Sequence, residues 1–219
     1  MRRWRWLVLA LIAGGVYYGG WVHVPAGPRS LAAFEPDRQA DLEVEMWRAY
    51  YGKERVRLFR TLVISLREQN RYSWVKATEA GFHLARAASQ FAEMRSDYER
   101  VLPGLERAYE IARDWTGGRF DPHAVARAEL AWWVARRVPG QNSPEHIGGL
   151  IADENALLFE VPRDRVLEAS LLRAQAASLR DAGGADADWI RISELLRQSY
   201  RALRKGVERE SSRQAGDGR

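Results

Sequence analysis

The sequence has no cysteine. That absence excludes disulfides, thiolate-held iron–sulfur clusters and cysteine nucleophiles. Lysine is nearly absent as well: three lysines stand against thirty-one arginines. Bidentate recognition of carboxylates would use such a preference, and a bias of genome composition explains it more simply. A dominant charge is also missing from most of the chain. The formal net charge is +5, but three of those charges are Arg2, Arg3 and Arg5, which leaves +2 over residues 25–219. A mixed surface of that kind is no nucleic-acid footprint. No stretch alternates β-branched residues between turn signals, so no strand is expected.

Several catalytic signatures are absent too. There is no phosphate-binding loop of the Walker type, no dinucleotide fingerprint, no zinc-metalloprotease motif and no nucleophile elbow. Glu-x-x-His, which ferritin-like di-iron bundles need twice, does not occur. Ser73-x-x-Lys76 spells the serine-acylase tetrad, but Ser-Asp-Asn and Lys-Thr-Gly are missing, and an ordinary N-cap accounts for Ser73.

What is present begins with Trp6 to Val24, nineteen residues without a formal charge. As a helix this run would span roughly 28 Å, close to the hydrocarbon thickness of a bilayer. Arg2, Arg3 and Arg5 precede it, and tryptophans and tyrosines cluster toward its ends (Trp4, Trp6, Tyr17, Tyr18, Trp21), as at membrane interfaces. Residues 1–24 are therefore expected to form a single-pass signal-anchor in an inner membrane, with the N-terminus cytoplasmic and the remainder periplasmic or otherwise extracytoplasmic. A cleaved signal peptide is the rival, but the apolar run exceeds a typical h-region and lacks a good cleavage site. Gly15 and Gly19 make one G-x-x-x-G, which would permit self-association of two such helices.

Residues 25–35, with Pro25, Gly27 and Pro28, read as an extended linker. Residues 36–207 read as one all-α domain, a bundle of five to seven helices, with a helical-repeat solenoid as the runner-up. Roughly 195 residues after the anchor suffice to bury about 70% of the unfolded surface. The pattern predicts helices at 36–69, where Gly52 kinks or splits the run, and at 74–94, opened by Ser73. Ser96 and Glu99 spell a capping box. Pro103 leads into a helix ending at Gly117-Gly118. Further helices follow at 122–137, 144–159, 163–181 and 188–207. In 74–94 small residues alternate with Trp74, Leu84 and Phe91, which allows close helix approach. Residues 208–219 are polar and expected to be disordered.

Candidate chemistry is sparse. Glu79 and His83, at i and i+4, share a helix face and could place two ligands on a metal. Glu129 is flanked at helical spacing by Val125, Trp132 and Trp133, so burial would raise its pKa. Glu43 precedes Trp47 by four residues and would meet Glu129 inside a bundle. Each of these residues has an ordinary surface-pair explanation, and His123 and His146 belong to no ligand set. Trp132 and Trp133 differ by about 100° on one helix, so one should pack with Trp74, Leu84 and Phe91 and the other should face a partner.

The composition thus points to a membrane-anchored exported module for protein–protein interaction or assembly. Its partner would be an unidentified membrane or periplasmic protein; no nucleic acid, metal, cofactor or catalytic residue is implied. The alternative is a ligand- or metal-binding helical-bundle enzyme, with Glu43, Glu79, His83 and Glu129 around an interior site. A large interior cavity lined by those carboxylates would favour the alternative.

Overall fold

Cap residues and prolines set where each helix begins. In a computed structural model, which describes residues 14–15 and 18–217, Glu35 accepts from the backbone N–H groups of Asp37 and Arg38 and so opens α1 (Pro36–Tyr51). The run predicted as one helix over 36–69 is split. Gly52 ends the first part, Lys53 takes a left-handed φ of 57°, and α2 (Arg55–Glu68) sets off on a new axis. A lysine in that region costs backbone energy that only a designed break repays.

Ser73 accepts from the Lys76 N–H at 3.2 Å and starts α3 (Trp74–Glu93). The capping box at Ser96 and Glu99 does not form. Asp97 is left-handed, a 3-10 turn fills Tyr98–Val101, and Glu99 pairs with Arg127 instead. α4 (Leu102–Thr116) ends on Gly117 at φ 72°, a position suited to a residue without Cβ. Asp121 caps α5 (Pro122–Ala135) and Ser143 caps α6 (Pro144–Phe159). α7 (Arg163–Gly183) follows Pro162. Asp188 accepts from Ile190 and Arg191 at the start of α8 (Trp189–Asp217). α8 carries on as helix through 208–217, where disorder was expected. The expected five to seven helices are thus eight α-helices from Pro36 onward, and no strand occurs among the described residues.

Each helix packs on the one before it and the one after it, and α8 packs back on α1. Connections are short, so neighbours run antiparallel. The bundle is therefore closed into a ring. A solenoid would leave its first and last helices unpaired, and here they cover one another.

Apolar residues are distributed accordingly. They form separate clusters between neighbouring helices rather than one central core: Val101, Leu105 and Leu130 join α4 to α5, for instance, and Ile192, Leu195 and Leu196 of α8 meet Ala40 of α1 and Ala176 of α7. The small residues of α3 do what their spacing suggested, since a Cβ at Gly81 would come within 2.9 Å of Val63 on α2. The approach of α8 to α7 is tighter still: a Cβ at Gly206 would lie 2.2 Å from the Arg165 carbonyl oxygen.

The linker is docked rather than extended into solvent. The Ala26 N–H donates to the Arg71 carbonyl, Arg29 lies over the Trp115 ring at 4.4 Å, and Phe34 is buried edge-on to Tyr200. Arg204 donates to the Phe34 carbonyl. These contacts lay residues 24–35 across one end of the ring, from the α2–α3 connection to α8. The expected anchor, residues 1–24, falls mostly outside the described residues. Among those described, no helix is long and apolar enough to cross a membrane. Helical residues 18–23 bring Trp21 against Trp74, with ring centroids 6.0 Å apart.

Candidate functional site

The ring surrounds a cavity of about 760 Å³. Its two walls differ in kind. α2, α3 and α4 contribute mostly aliphatic side chains, among them Leu58, Leu62, Leu66, Leu84 and Ala108. α1, α5 and α7 contribute Glu43, Trp47, Glu129, Trp132, Trp133 and Arg173. α6 sends only Leu158 to the wall, and α8 none.

Two linked polar clusters join the second wall to α4, α6 and α8. In the first, the Tyr109 hydroxyl of α4 lies 2.9 Å from Glu129 Oε2 on α5 and 3.1 Å from Glu154 Oε1 on α6. Trp132 Nε1 donates to Glu154 Oε2 at 2.5 Å. One hydroxyl proton cannot serve two carboxylates. The arrangement is satisfied when Tyr109 donates to Glu154 and a protonated Glu129 donates to Tyr109. The electrostatics agree: burial, and then the charge of Glu154, push Glu129 up to about 8. Burial likewise raises Glu154, although Arg173 and its two hydrogen bonds work against this. Tyr109, buried between two acids, is raised well above its ordinary value.

In the second cluster Arg173 of α7 donates to Glu43 Oε1 of α1 at 2.9 Å, and the Tyr200 hydroxyl of α8 donates to Glu43 Oε2 at 2.5 Å. Glu43 is only 2% exposed. The guanidinium also lies over the Trp132 ring at 4.8 Å, which ties the two clusters together. Burial alone would lower the Arg173 pKa, but Glu43, Tyr200 and Glu154 more than reverse this, and the group is held cationic. Three carboxylates therefore face one guanidinium inside the ring.

At the end opposite the linker, Arg136 of α5 donates to Tyr51 of α1 at 2.6 Å and to Asp181 of α7 at 2.8 Å. Arg180 stacks on the Tyr51 ring at 3.5 Å. These contacts bind three helices that are not neighbours in the ring.

Of the residues singled out from sequence, Glu43 and Glu129 are brought to the cavity; Glu79 and His83 are not. Glu79 faces outward between Lys76 and Arg107, at 2.9 and 2.8 Å, and these partners hold its pKa low. His83 contacts Phe82. Their helix turns another face to the cavity, the one carrying Ala80, Leu84, Ala88 and Phe91. Among the described residues no three His, Asp or Glu side chains are grouped to hold a metal ion.

One indole was expected to pack with Trp74, Leu84 and Phe91 and the other to be exposed or to sit in a shallow groove. Trp132 is 7% exposed and Trp133 stacks on Phe91 at 5.1 Å, and both line the cavity. A helix in a ring has a neighbour on each side and the cavity in front, so two side chains 100° apart can both line it. Trp74 belongs elsewhere, with Trp21 and beneath Arg67. Sequence reasoning missed Glu154, Arg173, Tyr109 and Tyr200. Glu154 stands in a largely apolar stretch, Leu150-Ile151-Ala152 before it and Ala156-Leu157-Leu158 after, and that was the available signal.

Neither a scan against protein-family models, nor a search of curated proteins, nor a search of solved structures finds a match to this chain.

Proposed function

We propose that the ring binds a small, largely apolar molecule in its central cavity, as a receptor or carrier. The observation that carries this reading is the cavity itself. Its volume of about 760 Å³ falls within the range of small-molecule sites, roughly 300–1,000 Å³, and it joins an apolar wall to a few converging polar groups. Filling so large a space with side chains would stabilise the ring, so leaving it open needs a reason. The uncharged run Trp6–Val24 behind Arg2, Arg3 and Arg5 supports holding the ring on the exported side of a membrane. An assembly role is the second reading. It rests on Phe82 and Val75, 52% and 38% exposed on the outer face of α3, and no longer on the Trp pair.

The test uses the full-length chain in lipid nanodiscs, labelled with 5-fluorotryptophan and titrated with 2-naphthylethanol. The Trp132 and Trp133 fluorine resonances, assigned by Trp→Phe variants, should shift saturably. Ala88→Phe, which fills the cavity from the aliphatic wall, should abolish the shift. No saturable shift, or one unchanged in Ala88→Phe, removes the proposal.

A further inference from the structure

We infer that the ligand of this cavity is an organic cation, an ammonium on an apolar body, with the ammonium seated at Glu129 between Tyr109 and the indoles of Trp132 and Trp133. The inference rests on the cavity-ligand reading and names the chemical class.

Three observations carry it. First, Glu43, Glu129 and Glu154 gather around Arg173, which is already engaged by Glu43, while the other guanidiniums of the cavity, Arg136 and Arg137, are held by Tyr51 and Asp181 and by the Met94 carbonyl. Second, Glu129 lines the cavity with one oxygen on Tyr109, while the other has no hydrogen-bond partner among the described residues. Every other interior carboxylate has both oxygens occupied: Glu43 by Arg173 and Tyr200, and Glu154 by Tyr109 and Trp132. The second Glu129 oxygen is open to the cavity, where a ligand ammonium can donate to it in place of solvent. Third, the groups around it are aromatic. Trp132 and Trp133 border the same space, and indole faces attract cations; Arg173 already lies over Trp132 at 4.8 Å, which leaves the Trp133 indole for a second cation. Glu129 and its aromatic neighbours suit the ammonium, and the leucines of α2 and α3 suit the apolar body. Arg137 on the cavity wall, with its guanidinium over Phe91 at 3.8 Å and a hydrogen bond to the Met94 carbonyl, repels a cation placed beside it and favours the Glu129 end.

No covalent bond to the ligand is formed; the only exchange is of a proton, from the Glu129 carboxyl to solvent. Burial and the charge of Glu154 raise Glu129 to about 8, so below that pH the carboxyl holds a proton when no cation faces it. A bound ammonium replaces that proton, which leaves to solvent. The groups facing Glu129 are Tyr109 from α4, Glu154 from α6 and Arg173 from α7, with Glu43 of α1 beyond Arg173. None of them offers Glu129 a nearer positive charge than the ligand would.

The experiment compares 2-naphthylethylamine, 2-naphthylethanol and 2-naphthylacetate on the full-length chain by the fluorine titration above. The ammonium should bind at least tenfold more tightly than the alcohol at pH 8, and the carboxylate more weakly than either. Glu129→Gln keeps the shape and removes the charge, and should bring ammonium and alcohol within twofold. Between pH 8 and pH 6 the wild-type affinity for the ammonium should fall about tenfold per unit as protons compete for Glu129; affinity for the alcohol, and that of Glu129→Gln for either, should stay level. Equal binding of ammonium and alcohol, or a preference that survives in Glu129→Gln, overturns the cation inference and leaves the cavity reading standing. If none of the three binds, the cavity reading itself falls.

Discussion

The two walls of the cavity were built by different rules. The wall of α2, α3 and α4 is a set of aliphatic stripes: Leu58, Leu62 and Leu66 repeat every four residues, and Ala80, Leu84, Ala88 and Phe91 do nearly the same. The wall of α1, α5 and α7 carries charge, and its carboxylates are held by groups from other helices: Glu43 by α7 and α8, and Glu129 by Tyr109 of α4, which also holds Glu154 of α6 together with Trp132 of α5. The first wall is stabilised by burial alone and tolerates change of shape. The second depends on every partner being present, because removing one leaves a charge without water or counter-ion. Chemistry, where this fold has any, belongs to the second wall.

Breaking the polar wall should have the largest effect. Arg173→Met strands Glu43 at 2% exposure. A loss of about 3–5 kcal/mol is expected in denaturant unfolding, and pairing the variant with Glu43→Gln should recover part of it. A loss within the range of surface substitutions would mean that the wall is solvated and the contrast with the aliphatic side is false.

A second test sharpens the contrast through pH. The Glu129 pKa is raised to about 8 in the fold and sits near 4.3 in an unfolded chain. Above the unfolded value the unfolded state releases this proton while the fold retains it, so wild-type stability falls as pH rises from about 4.3 toward 8. Glu129→Gln should remove that slope, and its stability relative to wild type should grow across the same window. Parallel curves for the two proteins would show Glu129 ionised like a surface acid.

The smallest effect is expected outside the ring. Glu79→Gln removes a pair with Lys76 and Arg107 whose side chains are 30%, 42% and 45% exposed. It should cost no more than about 1 kcal/mol, less at high salt, and leave ligand titrations unchanged. A shift in those titrations would show that α3 transmits strain to the cavity.

Much of the local structure was legible because it is local. Ser73, Asp121 and Ser143 cap helices where their side chains and the following prolines or apolar stripes place them, and of Asp186 and Asp188, either of which could open the last helix, Asp188 caps it. The aliphatic stripes were visible for the same reason, since a period of 3.6 lies wholly within one helix. The Ser96–Glu99 box does not form because Asp97 is left-handed and a 3-10 turn begins at Tyr98, which leaves Glu99 to pair with Arg127 at the surface. Glu43 and Glu129 stood out through the aromatic residues beside them. Glu154, Arg173 and Tyr200 did not, because each is an ordinary polar residue in its own helix and acquires meaning only from helices elsewhere in the chain.

The amino-acid sequence by itself determined that this chain is helical, where most of its helices start and stop, and that one uncharged run precedes them, because these follow from backbone geometry and near-neighbour side chains. Only the tertiary structure decided that the bundle closes, with α8 on α1. Closure enclosed both indoles, turned Glu79 and His83 outward and brought three carboxylates to one guanidinium. Those outcomes depend on how helices distant in sequence are oriented about a shared space, and no periodicity within a single helix contains that information.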